Sequence, residues 1–152
     1  MAGNTDFTTA TDTVTTASDP YLGSFSQGVE ANSDFVMVAL ARYTRIDPNH
    51  LAAFSSIVMT QMLRGSMGFR GVIISDDLGD TAAVASIPPG TRAIDFLTAG
   101  GDMIISKTSA PADAMVRAIR SQAAAVPGFE QRVNDAAQRI LRAKQVLGLL
   151  PC

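Results

Sequence analysis

Two adjacent aspartates, Asp76 and Asp77, are the strongest chemical signal in this chain of 152 residues. They follow directly on the largely apolar segment 71–75, which is predicted to be a buried strand. Because side chains alternate along a strand, we expect Asp76 to share one face with alternate residues of that run and Asp77 to point the other way. A strand-end carboxylate can be a nucleophile, a general base or a ligand of a hard metal ion. The pair alone leaves these roles open, along with a structural role in capping the loop.

Strands and helices alternate around the pair. Apolar runs at 35–40, 71–75 and 102–106 predict three strands buried on both faces, as in parallel sheets. Helical spacing and capping residues predict helices at 19–32, 55–68, 91–99, 111–125 and 129–147. This order predicts α/β architecture, either an open doubly wound sheet or part of a (β/α) barrel. In both, functional groups gather at the C-terminal ends of strands, and only the second strand ends in acidic residues.

Composition excludes several classes of function. Twelve Lys and Arg against fourteen Asp and Glu give a net charge of -2, with no basic block, so a nucleic-acid partner is not expected. The single cysteine, Cys152, excludes an internal disulfide and a cysteine-ligated zinc site, and the lone His50 excludes a multi-histidine site. We therefore predict no cofactor and no metal.

The chain also lacks targeting signals. No window approaches the roughly 20 apolar residues of a membrane span, and the first residues have neither the basic start nor the apolar core of a signal peptide. We expect a cytoplasmic location by default, unless an export signal lies upstream of Met1.

The residues around the aspartate pair form a long motif. It runs through Met62-Leu63-Arg64 and then Met67-Gly68-Phe69-Arg70-Gly71-Val72-Ile73-Ile74-Ser75-Asp76-Asp77-Leu78. Further elements are Gly3-Asn4-Thr5-Asp6-Phe7, Asp12-Thr13-Val14-Thr15-Thr16, Asp19-Pro20-Tyr21-Leu22 and Ala99-Gly100-Gly101-Asp102. The motif resembles the active-site signature of glycoside hydrolase family 3, and the whole pattern is most similar to the bacterial β-N-acetylhexosaminidase branch.

The resemblance implies a (β/α)8 TIM-type barrel that hydrolyses terminal β-linked N-acetylglucosamine with retention, as in cell wall recycling. The substrate would be an N-acetylglucosamine-containing glycan or muropeptide. The signature implies that Asp76 is the nucleophile, and its neighbour Asp77 would orient it or contact substrate. Arg42 and Tyr43 follow the first predicted strand and are candidates to line the sugar site, since arginine donates several hydrogen bonds and tyrosine stacks on sugar faces. Packing of their own loop is the alternative.

The acid/base group is where the sequence departs from the family pattern. In much of this branch a flexible loop carries an Asp-x-His dyad, and the matching stretch here is Asp12-Thr13-Val14. Valine cannot transfer a proton, so the resemblance leaves the acid/base role to Asp12 or Asp6. We expect His50 to be a surface or capping residue.

Length sets the domain prediction. A full barrel takes about 250 residues and eight strands, so residues 1–152, with three predicted strands, are expected to be the C-terminal part of the catalytic barrel domain. Residues 1–18 are expected to form a long active-site loop. One competing hypothesis is a non-catalytic fragment that associates through exposed strand edges. Another is a magnesium-binding phosphoacceptor domain built on Asp76, Asp77 and Asp80.

The remaining charged residues carry weaker predictions. Asp102 begins a strand, so we expect it to cap a turn far from the chemistry. The helix residues Arg132 and Arg139 are expected to face solvent. Lys107 and Thr108 end the third strand and are candidates to reach substrate.

Overall fold

A computed structural model describes residues 3–150 as five short strands and five helices, with three single-turn 3-10 segments between them. The strands are β1 Ala10–Asp12, β2 Phe35–Val38, β3 Ala41–Tyr43, β4 Val72–Asp77 and β5 Met103–Ile105. The helices are α1 Gly23–Glu30, α2 Ile57–Ser66 (a wide π-type helix), α3 Pro89–Ala99, α4 Ser109–Ala125 and α5 Pro127–Val146. The 3-10 segments are Pro20–Leu22, Ala52–Phe54 and Ala82–Val84. Cys152 lies outside the described residues.

The three predicted strands lie side by side in one parallel sheet, in the order β2-β4-β5. Helices connect them, as the alternating pattern predicts, which confirms the α/β architecture of a partial barrel. Phe35 lies opposite Val72 and Ile74 opposite Met103. Further along, Asp77 lies opposite Ile105, so the register shifts between Ile74 and Asp77. Over that interval β4 carries one more residue than β5.

A second, two-stranded parallel sheet pairs β1 with β3. The structure therefore differs from the predicted loop at 1–18, because Ala10–Asp12 is a strand whose residues lie opposite Ala41–Tyr43. The threonine-rich composition gave no sign of it, since the pairing partner lies about thirty residues further along the chain. Residues 13–18 contain no strand or helix.

Burial of β2 differs from the prediction. Val38 is buried, but the side chains of Phe35 and Met37 are 39% and 59% exposed. They lie on the same sheet face as Ile74 and Met103. Among residues 3–150 this face is left uncovered at Phe35 and Met37, whereas Val72 on the same face is buried. The core lies on the helix-covered face, where Ile73 packs with residues of β2, α2 and α3.

The starting end of the sheet is held by Asp102. Its buried carboxylate accepts hydrogen bonds from the backbone N–H of Ile73 (2.9 Å) and from the guanidinium groups of Arg64, Arg132 (2.8 Å) and Arg139 (3.2 Å). The structural role predicted for Asp102 fits this arrangement. The prediction that Arg132 and Arg139 face solvent is wrong, because both turn inward from α5 toward this carboxylate. No helix in the described part of the chain is long and apolar enough to cross a membrane.

Candidate active site

Asp76 lies near the C-terminal end of β4, on the face of the sheet that carries Ile74. Its side chain is half-buried. One carboxylate oxygen, Oδ1, accepts the backbone N–H of Asp77 at 2.7 Å. The other, Oδ2, has a longer contact, 3.4 Å, with the hydroxyl of Thr5. One oxygen is therefore fixed by the backbone while the other is only lightly held.

Asp77 points to the opposite face and is 1% exposed. Its Oδ1 accepts the backbone N–H groups of Gly79 (2.9 Å) and Lys107 (3.0 Å), and its Oδ2 accepts that of Asp80 (3.3 Å). Burial raises the pKa of Asp77, but these three donors and the charge of Lys107 together more than offset it, so the pKa lies below its usual value. The structure places Asp77 in the framework of the loop, with almost no accessible surface.

Arg92 fixes the loop that follows β4, a role that the sequence did not predict. From α3 its Nη1 donates to the carbonyl oxygens of Leu78 (2.7 Å) and Gly79 (2.5 Å), and its Nε donates to that of Ile87 (2.6 Å). A Cβ at Gly79 would lie 2.5 Å from the Oγ of Ser106, which follows β5, and 3.0 Å from Asp77 Oδ1, so the glycine makes room for both side chains. The available signal was the position of Arg92 four residues before Phe96, on the apolar face of the helix.

Lys107 joins the ends of β4 and β5 to the N-terminal segment. Its Nζ donates to Asp6 Oδ1 at 2.8 Å and lies 3.8 Å from Asp77 Oδ2. The hydrogen bond to Asp6 and the nearby carboxylates raise the pKa of Lys107. Next to it, the Thr108 hydroxyl donates to Asp80 Oδ2 at 2.6 Å. The Lys107 ammonium therefore lies near the carboxylates of Asp6, Asp77 and Asp76.

Residues 4–8 form a turn that lies against this group. The backbone N–H groups of Ala82 and Ala83 donate to the carbonyl oxygens of Asp6 and Thr5, each at 3.2 Å. These bonds fix Thr5 and Asp6 beside the end of β4, where Thr5 reaches Asp76. Nothing in the local pattern of the sequence predicts the position of Thr5, because its partners lie more than seventy residues away.

Asp12, the predicted acid/base residue, ends β1 in the other sheet. Its Oδ1 accepts the N–H groups of Val14 (2.8 Å) and Thr15 (2.7 Å), and its Oδ2 accepts the Thr15 hydroxyl (3.0 Å). The backbone donors of Thr15 and Val14 lower the pKa of Asp12. Among residues 3–150 no hydrogen bond or ion pair joins Asp12 to Asp76. A lowered pKa favours the carboxylate, the form of a general base and not of a general acid.

Arg42 and Tyr43 lie on β3, beside Asp12. Arg42 donates from Nη1 to the carbonyl oxygen of Pro48 at 3.1 Å, a contact within its own loop. Tyr43 lies opposite Asp12 in the register of the two strands, and burial, followed by the charge of Asp12, raises the pKa of its phenol. The structure thus groups these two predicted substrate residues with Asp12, and no contact in the described part joins either of them to Asp76.

The lone histidine caps the same loop. His50 Nδ1 lies 3.0 Å from Asp47 Oδ2, and the buried Asp47 also accepts the Ser55 hydroxyl at 2.7 Å. The His50 side chain is 58% exposed. This arrangement matches the expected surface or capping role.

An apolar hollow of about 380 Å³ lies beside Asp12 rather than beside Asp76. Its walls include Phe25 of α1, Met37 of β2 and Met62 of α2. Asp76 is not among the lining residues. Within the described residues no three His, Cys, Asp or Glu side chains are grouped to hold a metal ion, so the magnesium hypothesis gains no support.

Comparisons with known proteins match this architecture. Residues 3–143 match the protein family described as "Glycosyl hydrolase family 3 N terminal domain". A beta-hexosaminidase of Xanthomonas oryzae pv. oryzae is 40% identical over 81 residues, which are 53% of this chain and 24% of that protein. A beta-hexosaminidase of Stenotrophomonas maltophilia is 37% identical over the same length. The match therefore covers only 24% of the length of each of these curated relatives.

Solved structures give the same picture. The crystal structure of a beta-N-acetylhexosaminidase from Beutenbergia cavernae superposes with a TM-score of 0.88 at 41% identity, covering 94% of this chain and 43% of that one. A family 3 beta-N-acetylglucosaminidase from Paenibacillus sp. superposes with a TM-score of 0.75 at 27% identity, covering 82% of this chain and 24% of that one. The described fold is thus similar to part of each larger structure.

Proposed function

The chain belongs to glycosyl hydrolase family 3, and from that premise we propose that it carries the nucleophile of a β-N-acetylhexosaminidase. The reaction would be hydrolysis of terminal β-linked N-acetylglucosamine with retention, on a glycan or muropeptide. The hexosaminidases at 40% and 41% identity support this substrate class. The observation that carries the proposal is the position of Asp76, half-buried at a strand end with one lightly held oxygen.

The proposed chemistry uses the two oxygens of Asp76 differently. Oδ1 stays on the N–H of Asp77, and Oδ2 attacks the anomeric carbon as the bond to the leaving oxygen breaks. The bond's electron pair goes to that oxygen, which takes a proton from a general acid. Water then attacks the anomeric carbon, gives up a proton to the same group, and displaces Asp76 as a carboxylate. The bond at Oδ1 holds the carboxylate at the strand end, while the lightly held Oδ2 forms the new bond.

Asp12 remains the proposed acid/base residue, with a specific condition attached. A retaining glycosidase needs its two carboxyl groups about 5 to 5.5 Å apart. Asp12 would have to leave the hydrogen bonds of Val14 and Thr15 to serve, because these bonds stabilise its charged form. Arg42 and Tyr43 accompany Asp12 on the paired strand and are proposed to contact the sugar only if that sheet closes toward Asp76.

The domain assignment is also a proposal. We propose that β2, β4 and β5 correspond to three neighbouring strands of an eight-stranded barrel, with residues 1–152 forming its C-terminal part and residues 1–18 lying over the active site. The exposed Met37 and Phe35 support this, because their face is the one that other strands would cover in a closed barrel.

Covalent trapping tests the nucleophile. The protein would be incubated with a fluorinated N-acetylglucosaminyl donor carrying a good leaving group, and the adduct located by peptide mass spectrometry. The proposal expects the adduct on Asp76 and its loss in Asp76→Asn, while Asp77→Asn still forms it. An adduct on another carboxylate, or no adduct on the wild-type chain, would overturn the proposal.

A second candidate is association of two copies through the uncovered face. Phe35, Met37 and Ile105 place exposed apolar area on a sheet whose edge strands β2 and β5 are unpaired among residues 3–150. Light scattering coupled to size exclusion should find a dimer or larger species, and Met37→Lys should reduce it. A monomer at all protein concentrations would rule this candidate out.

A further inference from the structure

We infer that Ser75 is a positioning residue for Asp76. Its hydroxyl anchors β4 to β5 at the point where the pairing of these two strands is irregular, and that anchor holds the backbone at Asp76 in place. The inference rests on the proposed role of Asp76 as nucleophile and names the neighbour that fixes its position.

The irregular point of the sheet lies at Asp76 itself. The register of β4 against β5 shifts between Ile74 and Asp77. The two intervening residues, Ser75 and Asp76, lie opposite one residue of β5, Ile104. Two residues opposite one is the arrangement of a β-bulge, in which the ladder of backbone hydrogen bonds is locally disrupted. The ladder alone therefore does not hold the strand at Asp76.

Buried side chains join the two strands at this point. Ser75 is fully buried, and its Oγ accepts the backbone N–H of Ile105 at 2.9 Å. Two residues further along, Asp77 Oδ1 accepts the backbone N–H of Lys107 at 3.0 Å. Alternate residues of β4 thus supply side-chain acceptors to alternate residues at the end of β5. Asp76 lies between the two acceptors on the opposite face, so its backbone is fixed from both sides.

The surroundings of Ser75 offer the Ile105 N–H no bulk water as a substitute acceptor. On its other side Ser75 lies opposite the buried Val38 of β2. A buried N–H without an acceptor is costly, so without the hydroxyl the end of β5 would move to a new partner. The carbonyl oxygen of Ile105 accepts the backbone N–H of Leu78 at 3.0 Å. A movement of Ile105 would therefore reach the chain both before and after Asp76.

The orientation of the Asp76 carboxylate follows this stretch of backbone. Its Oδ1 accepts the N–H of the next residue, Asp77, at 2.7 Å, so a shift of the strand moves Oδ2 as well. Displacing a reacting group by about 1 Å can slow a reaction on the order of a hundredfold. Ser75 lies on the buried face and does not reach the face that carries Asp76. We therefore expect Ser75 to set the rate of attack and not the affinity for the sugar.

The experiment compares wild type, Ser75→Ala, Ser75→Thr and the matched control Ser55→Ala. Ser55 is also fully buried, and its hydroxyl donates to Asp47 in the loop after β3. Labelling with the fluorinated sugar donor gives a maximal rate and a half-saturating concentration for each protein. We expect Ser75→Ala to lower the maximal rate by about tenfold to a hundredfold and to leave the half-saturating concentration within about twofold. Ser75→Thr keeps the hydroxyl and should recover most of the rate, and Ser55→Ala should stay near wild type.

Amide hydrogen exchange, followed by NMR, tests the geometry without any sugar. We expect Ser75→Ala to speed exchange about tenfold or more at Ile105, which loses its acceptor, and at Asp77, whose N–H is held by Asp76. The N–H of Asp102 bonds the carbonyl oxygen of Ile73 at 2.8 Å at the start of the same strand pair and should stay protected. A change confined to the bulge separates positioning from general loosening of the fold.

The outcomes separate this inference from the proposed function. If wild type is labelled on Asp76 and folded Ser75→Ala is labelled at the same maximal rate, the inference is overturned and the nucleophile stands. If wild type is not labelled but Ser75→Ala loses protection at Asp77, the proposed function fails and Ser75 still positions Asp76. An equal loss of rate in Ser55→Ala would overturn the inference. If Ser75→Ala does not fold, Ser75→Cys, of similar size but a weak acceptor, replaces it, and a wild-type rate there overturns the inference.

Discussion

Asp76 and Asp12 both end a parallel strand, yet the chain surrounds them in opposite ways. Asp12 is hydrogen-bonded by residues two and three positions further along, so its environment is a local turn. Asp76 is met by Thr5 from seventy-one positions away, and its neighbour Asp77 is held from thirty positions away by Lys107. Tertiary structure therefore builds the environment of Asp76, whereas the local backbone builds that of Asp12. A carboxylate placed by distant segments is the better candidate for chemistry.

The largest expected difference between the two aspartates is in covalent labelling. Asp76→Asn should abolish the sugar adduct, because an amide cannot attack the anomeric carbon. Asp12→Asn should still form it with an activated donor, since a good leaving group needs no proton. If both variants stay folded and both lose the adduct equally, the two strand ends act as one site. The contrast between Asp76 and Asp12 would then be wrong.

The next largest effect concerns the framework under Asp76. Asp77→Ala leaves three backbone N–H groups without their acceptor and removes a buried carboxylate from beside Lys107. We expect a loss of about 2 to 4 kcal/mol in the free energy of unfolding, measured by urea denaturation. Asp12→Ala, on an exposed turn, should lower stability by clearly less. The reverse order would show that the β1–β3 turn, and not the β4 loop, limits stability.

Glycine 79 offers a smaller and more local test. Gly79→Ala would place a methyl group 2.5 Å from Ser106 Oγ, and the Ser106 hydroxyl would have to move away from its bond to the carbonyl oxygen of Thr108. The expected cost is about 1 to 3 kcal/mol in unfolding free energy. The double variant Gly79→Ala/Ser106→Gly should recover part of it, and failure to recover would place the strain elsewhere in the loop.

The smallest expected effect is the pH dependence of stability. Asp77 and Asp12 both have lowered pKa values in the folded state, so their contributions are present above the unfolded pKa of about 3.9 and are lost as pH falls through the folded pKa. The melting temperature should therefore decrease as the pH is lowered from about 5 to about 3. Asp77→Asn should flatten this fall more than Asp12→Asn. An identical slope in both variants would contradict the difference in burial.

The contrast also explains what the sequence could predict. The strands β2, β4 and β5 and all five helices follow from apolar runs and helical spacing, because these patterns are local. The position of Asp76 at a strand end follows from the same reasoning. The β1–β3 pairing, the contact of Thr5 and the Lys107–Asp6 bond join segments that are far apart in sequence, and no local pattern encodes them. The prediction that Arg132 and Arg139 face solvent is wrong because it judged the helix face by residue type alone.

The register shift between β4 and β5 determines what the deletion of a single residue would do to the site. Four residues of β4, from Ile74 to Asp77, match three of β5, from Met103 to Ile105, so β4 carries one surplus residue next to Asp76. Deleting one codon from this stretch would straighten the pairing and exchange the faces of the two aspartates. Asp77, now buried, would then take the face that the half-buried Asp76 occupies, and Asp76 would point toward the core. A single-residue deletion would therefore invert the site in one step.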